Sequence, residues 1–581
     1  MPSQHFPHPI HLPDPSLAHR RHPLVRLSAS TAGRVPAAVL LAAALGACGG
    51  GGDDAPRPAA LPTTSSLVGE CEALAGARLA DATLTSTTVA AGTVVNGVAL
   101  PAHCVVQGRM SPRIGVDGKS YHIGFELRLP RSWNGRFAFQ GGGGNDGVVR
   151  LAIGALAGND ASSAALQTSA LAKGYAVVTT DAGHQVTDAS FGLDPQARVD
   201  HAYAAYDKVT VAAKDLIGQA YGRAPDRSYF VGCSGGGRQA LLFPQRFPAH
   251  FDGVAANAPA IKVAKEASVA STWSVLTYDA IAPVDGAGRR ILSRALSSQD
   301  LTLVADAVVR RCDALDGAAD GIVGVNPAAC GFDPAVLQCS GAKTDTCLSA
   351  GQVAALRKDF AGPKDSAGRS LYASWPWDSG IRGADWRNWR LGTSTTATPN
   401  ARNYSLIATD AMPKEFFTPP VPDFDIRGFD FDTDPARMDA YAAIYNTTST
   451  DVGAFRQRGG KMLIVHGTSD PIFSANDSID YYQKVAAANG GDAAARDFAR
   501  LFLVPGMNHC SASGGPATDI YDALTPLADW VERGIAPDRI VARAGAATPW
   551  PGRTRPLCPY PQVATYNGSG SLEDAASFSC R

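Results

Sequence analysis

The stretch "YFVGCSGGGRQ", residues 229–239, decides how the rest of the chain is read. Four residues of strand character run into a glycine turn, and a serine, Ser234, stands in the middle of that turn with Cys233 directly before it. "GCSGG" fits G-x-S-x-G, in which a sharp strand-to-helix turn lifts a serine hydroxyl above a sheet and small neighbours let the backbone crowd together. A phosphate-cradling loop would need G-x-x-x-x-G-K-[ST], which is absent here.

Outward from the turn, the pattern alternates strands with helices. Residues 121–130 and 136–140 read as strands, and 174–184 as a buried strand ending in a polar loop. Residues 200–222 have helical spacing and a glycine stop. Further apolar strands follow in "FDGVAANAP", "KMLIVHG" and "RLFLVPG". The expected fold is α/β, an α/β-hydrolase doubly wound sheet. Residues 66–259 and 451–581 supply its two parts. Residues 260–450 break the rhythm with prolines, tryptophans and four cysteines, and read as a large lid insertion.

A serine hydroxyl needs a base, and the base needs an orienting carboxylate. The fold sets the chain order serine, acid, histidine, each just after a strand. "MLIVHGTSDPIF" places Asp470 after one strand, and "LFLVPGMNHC" places His509 after the next. If Ser234 and His509 meet, their neighbours Cys233 and Cys510 are close enough to form a disulfide. The oxyanion donors expected are the N–H of Gly235 and, from "FQGGGGNDG", that of Gly144. A non-catalytic binding protein would show a broken triad, which this sequence does not. A lipid-cleaving relative would carry long apolar runs in the lid, where this lid is mixed and aromatic.

The N-terminus has its own signals. Arg20, Arg21, Arg26 and Arg34 precede the apolar run "VPAAVLLAAALGAC", too short to span a bilayer as a mature helix. Residues 1–47 read as a signal peptide and 48–65 as a flexible tether, with Cys48 of "LGAC" the candidate lipidated residue. Ordinary secretion with an incidental Cys48 is the alternative. Setting Cys48 aside leaves an even ten cysteines out of 11, which suits disulfides in an exported chain. The net charge of -1 gives no electrostatic case for nucleic acid, and a membrane enters only through the lipid anchor. One acidic cluster stands out in "CDALDGAADGIV", where Asp313, Asp316 and Asp320 offer hard oxygen ligands suited to a structural Ca2+. The rival reading is a solvated acidic loop.

These motifs resemble the tannase and feruloyl esterase family of α/β hydrolases. The likeness is carried by "GCSGGG", "HGTSDPIFS", "VPGMNHCSASGG", "CDALDGAADGIV", "FGLDPQARVDHAYAAYD" and "RTRPLCPYPQ". It implies Ser234 as nucleophile, Asp470 as orienting acid, His509 as base and the Cys233–Cys510 bridge. Four further bridges are implied: Cys71–Cys104, Cys312–Cys330, Cys339–Cys347 and Cys558–Cys580. Calcium would sit on the three aspartates and the carbonyls of Ala318 and Ile322, with no organic cofactor. Trp389, His466 and Phe473 match substrate-pocket positions. Members specific for terephthalate monoesters carry a lid arginine that grips the free carboxylate, a phenylalanine four residues later, and a glutamate after the nucleophile. Here "NARNYSLIATD" offers Arg402 near that place, Leu406 or Ile407 where the aromatic should stand, and Gly235 after the serine. The resemblance therefore implies a small aromatic ester as substrate, feruloyl, galloyl or terephthaloyl in type.

Overall fold

Nine strands build the central sheet of the computed structural model, described for residues 61–95, 98–154, 169–511 and 515–581. In chain order they are β1 (Ala82–Val89), β2 (His103–Ile114), β3 (Ser120–Pro130), β4 (Arg136–Gln140), β5 (Ala176–Thr180), β6 (Arg227–Cys233), β7 (Gly253–Asn257), β8 (Lys461–Gly467) and β9 (Ala499–Val504). Their spatial order is β1-β2-β3-β5-β4-β6-β7-β8-β9. The last six positions pair in parallel, and β1 to β3 form an antiparallel flank joined to β5.

The apolar runs of the sequence are buried on both faces because helices cover both. In β6, Phe230 points into one core and Tyr229 and Val231 into the other. On the Phe230 side lie α1 (Ala205–Tyr221) and α2 (Gly235–Arg246). The expected glycine stop is Gly222, at φ 70°, a conformation glycine adopts without a Cβ penalty.

Between β7 and β8 the chain makes no strand of this sheet and builds the lid, with a hydrophobic core of its own around Tyr278, Trp375, Trp386 and Phe360. It is more regular than its texture suggests. Helices α3 (Ser268–Asp279), α4 (Ser298–Cys312), α5 (Ala350–Phe360) and α6 (Ala384–Arg390) run through it. Reciprocal capping boxes start two of them, Ser297 with Asp300 and Ser349 with Gln352. The S-x-x-D and S-x-x-Q spacing was the available signal. A π-helical segment, Asn403–Phe416, completes the wall over the site.

After β8, α7 (Ala475–Ala488) returns to the face of α1, and α8 (Leu524–Arg533) covers the other. Five disulfides are formed, the pairs being those named above. Tertiary contacts begin slightly before residue 66: the N–H of Thr63 donates to Asp226 Oδ2 at 2.9 Å, and Ser65 pairs with Trp133. The signal peptide and Cys48 lie outside the described residues. Among the described residues, no helix is long and apolar enough to cross a membrane.

Candidate active site

Ser234 sits at the junction of β6 and α2 with φ 63° and ψ -122°, a strained conformation for a residue with a side chain. Its N–H donates to the carbonyl of Asn257 at 3.0 Å, which ties the turn to the end of β7. The flanking glycines are required by contact. A Cβ on Gly232 would come within 2.5 Å of Gly236, and one on Gly236 within 2.6 Å of the Gly142 carbonyl oxygen.

Asp470 and His509 arrive from the loops after β8 and β9. His509 Nδ1 lies 2.7 Å from Asp470 Oδ2. The other carboxylate oxygen accepts from the N–H groups of Ile472 and Phe473 at 2.9 and 3.0 Å. Burial pushes the Asp470 carboxyl up, but His509 and His466 outweigh it and hold it below the usual carboxylate range. For His509, burial lowers the imidazole, while the charge and hydrogen bond of Asp470 carry it above its ordinary value. Its Nε2 is buried without an intramolecular partner. Ser234 Oγ is not hydrogen-bonded to it. Such contacts often tighten only with substrate. The disulfide Cys233–Cys510, with Cα atoms 6.2 Å apart, joins the immediate neighbours of the two groups across 277 residues of chain.

The glycine run is sorted by its hydrogen bonds. The N–H of Gly141 donates to Val231 O at 2.8 Å, that of Gly142 to Gln239 Oε1 at 3.1 Å, and that of Gly143 to Asp146 Oδ1 at 2.7 Å. Gly144, at φ 64°, has no such acceptor among the described residues and borders the same pocket as Ser234 and Gly235. Asp146 holds the loop by also accepting from Tyr206 and Gln239.

The pocket over Ser234 is walled by Trp389, Leu406, Ile407, Phe416 and Tyr445 from the lid side, and by Ile472 and Phe473 from the β8 loop. Trp389 and Phe473 also flank His509, their ring centroids 5.5 and 5.3 Å from the imidazole. Behind Tyr445 the fully buried Arg238 stacks at 3.7 Å and donates to the carbonyls of His201, Ala202 and Tyr445. Arg238 is four residues after Ser234, so the helix that starts at the serine also braces the pocket wall.

A family model described as tannase and feruloyl esterase matches residues 104–581. The chain belongs to the tannase and feruloyl esterase family. It is a carboxylic ester hydrolase. It is 44% identical over 542 residues to the mono(2-hydroxyethyl) terephthalate hydrolase of Piscinibacter sakaiensis, covering 84% of this chain and 87% of that one. The crystal structure of feruloyl esterase B from Aspergillus oryzae superposes with a TM-score of 0.73 at 27% identity, covering 88% of this chain and 100% of that one. Tannin acyl hydrolase from Aspergillus niger shares the fold at TM-score 0.67 with 22% identity, covering 90% of this chain and 96% of that one.

Within this tannase and feruloyl esterase member, two pocket expectations change. His466 does not line the pocket. It is fully buried behind the acid, with Nδ1 2.7 Å from Ser478 Oγ and Nε2 3.3 Å from Asp470 Oδ2. A strand buried on both faces gives no alternation from which to read which way it points. Arg402 stands outside the lining, half-exposed, 5.4 Å over the Trp389 ring and 3.7 Å from Asp385. Leu406 and Ile407 do form the wall. Asn145, Val263, Phe416 and Tyr445 were not singled out from sequence, since no local motif marks them.

The acidic loop is braced by Cys312–Cys330. Asp313 accepts from the N–H of Gly321, and Asp316 from that of Ala318. Asp320 accepts from the N–H of Ile322 and pairs with Arg555. Burial, reinforced by Asp320 and Asp313, pushes the Asp316 carboxyl up to about 7. Neither Asp313 nor Asp316 makes an ion pair, and among the described residues no three acidic, His or Cys side chains are grouped to hold a metal by themselves. Two buried hard-oxygen donors without a direct ion pair fit a cation in chemistry, with backbone carbonyls needed to complete the shell.

Proposed function

We propose that this enzyme hydrolyses esters of aromatic carboxylic acids through an acyl-enzyme on Ser234. Ser234 Oγ attacks the ester carbonyl while His509 Nε2 takes its proton. The N–H groups of Gly235 and Gly144 receive the oxyanion. Collapse expels the alcohol, which takes the proton back from His509, and water then repeats the attack on the acyl carbonyl. Asp470 fixes the imidazole tautomer and stabilises its charged form.

The observation that carries this reading is the conjunction at one place of the buried His509–Asp470 pair and an aromatic-walled pocket opening on Ser234. Leu406 and Ile407 leave the wall apolar, and Arg402 already faces the carboxylate of Asp385. Both features favour a neutral aromatic acyl group, as in feruloyl or galloyl esters. The relative named for a terephthalate monoester, together with Arg402 over Trp389, supports the second reading, an acyl group carrying a carboxylate.

Purified enzyme assayed on methyl ferulate, methyl gallate, mono(2-hydroxyethyl) terephthalate and p-nitrophenyl acetate separates them. At least one aromatic ester should exceed the acetate in kcat/KM by roughly 10-fold, the worth of a filled apolar pocket. Preference for the terephthalate ester, lost in Arg402→Gln, would select the second reading. Turnover of the activated acetate alone would contradict both.

Calcium on Asp313, Asp316 and Asp320, with the carbonyls of Ala318 and Ile322, is proposed as a structural ion, remote from the chemistry. Chelation should lower Tm and added Ca2+ restore it, while Asp316→Asn should abolish the response. A wild-type Tm indifferent to chelator would count against the ion.

A further inference from the structure

The loops that carry the acid and the base are tied to each other one residue before each functional group. The N–H of Ser469, directly before Asp470, donates to the carbonyl of Met507 at 3.1 Å. The carbonyl of Ser469 accepts from Nδ2 of Asn508, directly before His509, at 3.1 Å. The second hydrogen of the same Nδ2 goes to the lid, to the carbonyl of Gly380 at 3.0 Å. One planar amide on the base loop therefore grips both the acid loop and the lid.

The lid is bonded to these loops at two further points. Trp375 Nε1 donates to the carbonyl of Asp470 at 3.1 Å. Asp378 Oδ2 accepts from the N–H of Gly506 at 2.7 Å and from the Thr468 hydroxyl, bridging the loops after β9 and β8. The fit leaves no room for side chains. A Cβ on Gly380 would lie 2.3 Å from Gly506 O, one on Gly467 2.2 Å from Met507 O, and one on Gly383 2.1 Å from Asn508 Oδ1. Asn508 is fully buried, and its Oδ1 has no intramolecular partner. An unpaired buried oxygen is a cost that an apolar side chain would not carry. What the carboxamide contributes in return is its two donors.

We propose that Asn508 is a positioning residue for the His509–Asp470 pair, holding the base at hydrogen-bond distance from its acid and both loops against the lid. The inference rests on the triad reading above. Asn508 does not line the pocket over Ser234. It acts through the 2.7 Å contact between His509 Nδ1 and Asp470 Oδ2, whose two ends come from different loops and have no shared backbone to set their spacing. A base displaced by about 1 Å loses much of its rate, so the tie between the loops bears directly on the chemistry.

Asn508→Ala removes both donors and no charge. With the loops released, the Asp470 carboxylate holds the imidazolium less closely, and His509 falls from its raised value toward the ordinary one. His509 must be neutral to accept a proton, so kcat/KM rises with pH through the imidazole titration. That acid limb should move to lower pH by roughly half a unit or more. Above the limb, kcat should fall roughly 10²-fold with KM little changed. The other charged groups facing the imidazole are His466 behind Asp470, and Asp385 and Arg402 from the lid. The substitution replaces none of them, so the shift reads the geometry of the pair. A merely structural role would lower Tm and leave the limb where it is. The profiles are measured on p-nitrophenyl acetate, which does not titrate in this range, with Tm recorded for each variant. Should Asn508→Ala fail to fold, the Asn508→Ser profile decides, since serine is small and polar but brings its single donor one bond short of the two carbonyls. A limb coincident with wild type, or moved to higher pH, overturns the role of Asn508 whatever the Tm, while an inactive His509→Ala leaves the triad standing. An active His509→Ala overturns both.

Discussion

Ser234→Ala should lower kcat by about 10⁶-fold and leave only the residual rate that oxyanion donors and binding provide. The hydroxyl is the nucleophile at the turn, and nothing there replaces it: Cys233 is locked in its disulfide with Cys510. Folding should be unaffected. The strain at φ 63° belongs to the backbone and is imposed by the contacts of Gly232 and Gly236, which alanine does not alter. The expected result is a variant with wild-type Tm, unchanged KM for any residual activity, and no labelling by a fluorophosphonate. Retention of more than a thousandth of the wild-type rate would point to a different nucleophile.

Asp470→Asn comes second, with an expected fall of about 10⁴-fold in kcat. The amide is isosteric and still accepts from the N–H groups of Ile472 and Phe473, so the loop stays in place. What changes is the partner of His509 Nδ1. An amide N–H facing that nitrogen stabilises the wrong tautomer, which leaves the proton on Nε2, where the base must be free. The neutral side chain also withdraws the charge that holds the imidazole above its ordinary pKa. The residual activity should therefore persist to lower pH than in wild type. A loss under 10-fold would mean that His509 is oriented by contacts other than that with Asp470.

Much of this was legible because it is local. The strand over residues 136–140 has the bounds expected from its apolar run. The G-x-S-x-G turn, the acid and the histidine each announce themselves by a strand that ends in glycine or in a polar loop. The Cys233–Cys510 pair followed from the triad, since neighbours of groups that meet must themselves be near. What escaped is what depends on packing at a distance. Trp375 and Asp378 bond to the loops after β8 and β9, about 100 residues away in sequence, and no periodicity marks them. His466 illustrates the same limit, because in a strand covered on both faces every side chain is apolar-facing and the sequence does not say which one touches the acid. Gly144 was one choice among four glycines until the acceptors of the other three were seen.

The central claim is an aromatic acyl group carried on Ser234, and trapping it is the direct test. The enzyme is mixed with a p-nitrophenyl ester of an aromatic acid, quenched in acid within the burst, digested and mapped by mass spectrometry. The account predicts a single acyl mass on the peptide containing Ser234, absent from Ser234→Ala. The same acyl mass on any other residue, still formed in Ser234→Ala, would contradict it.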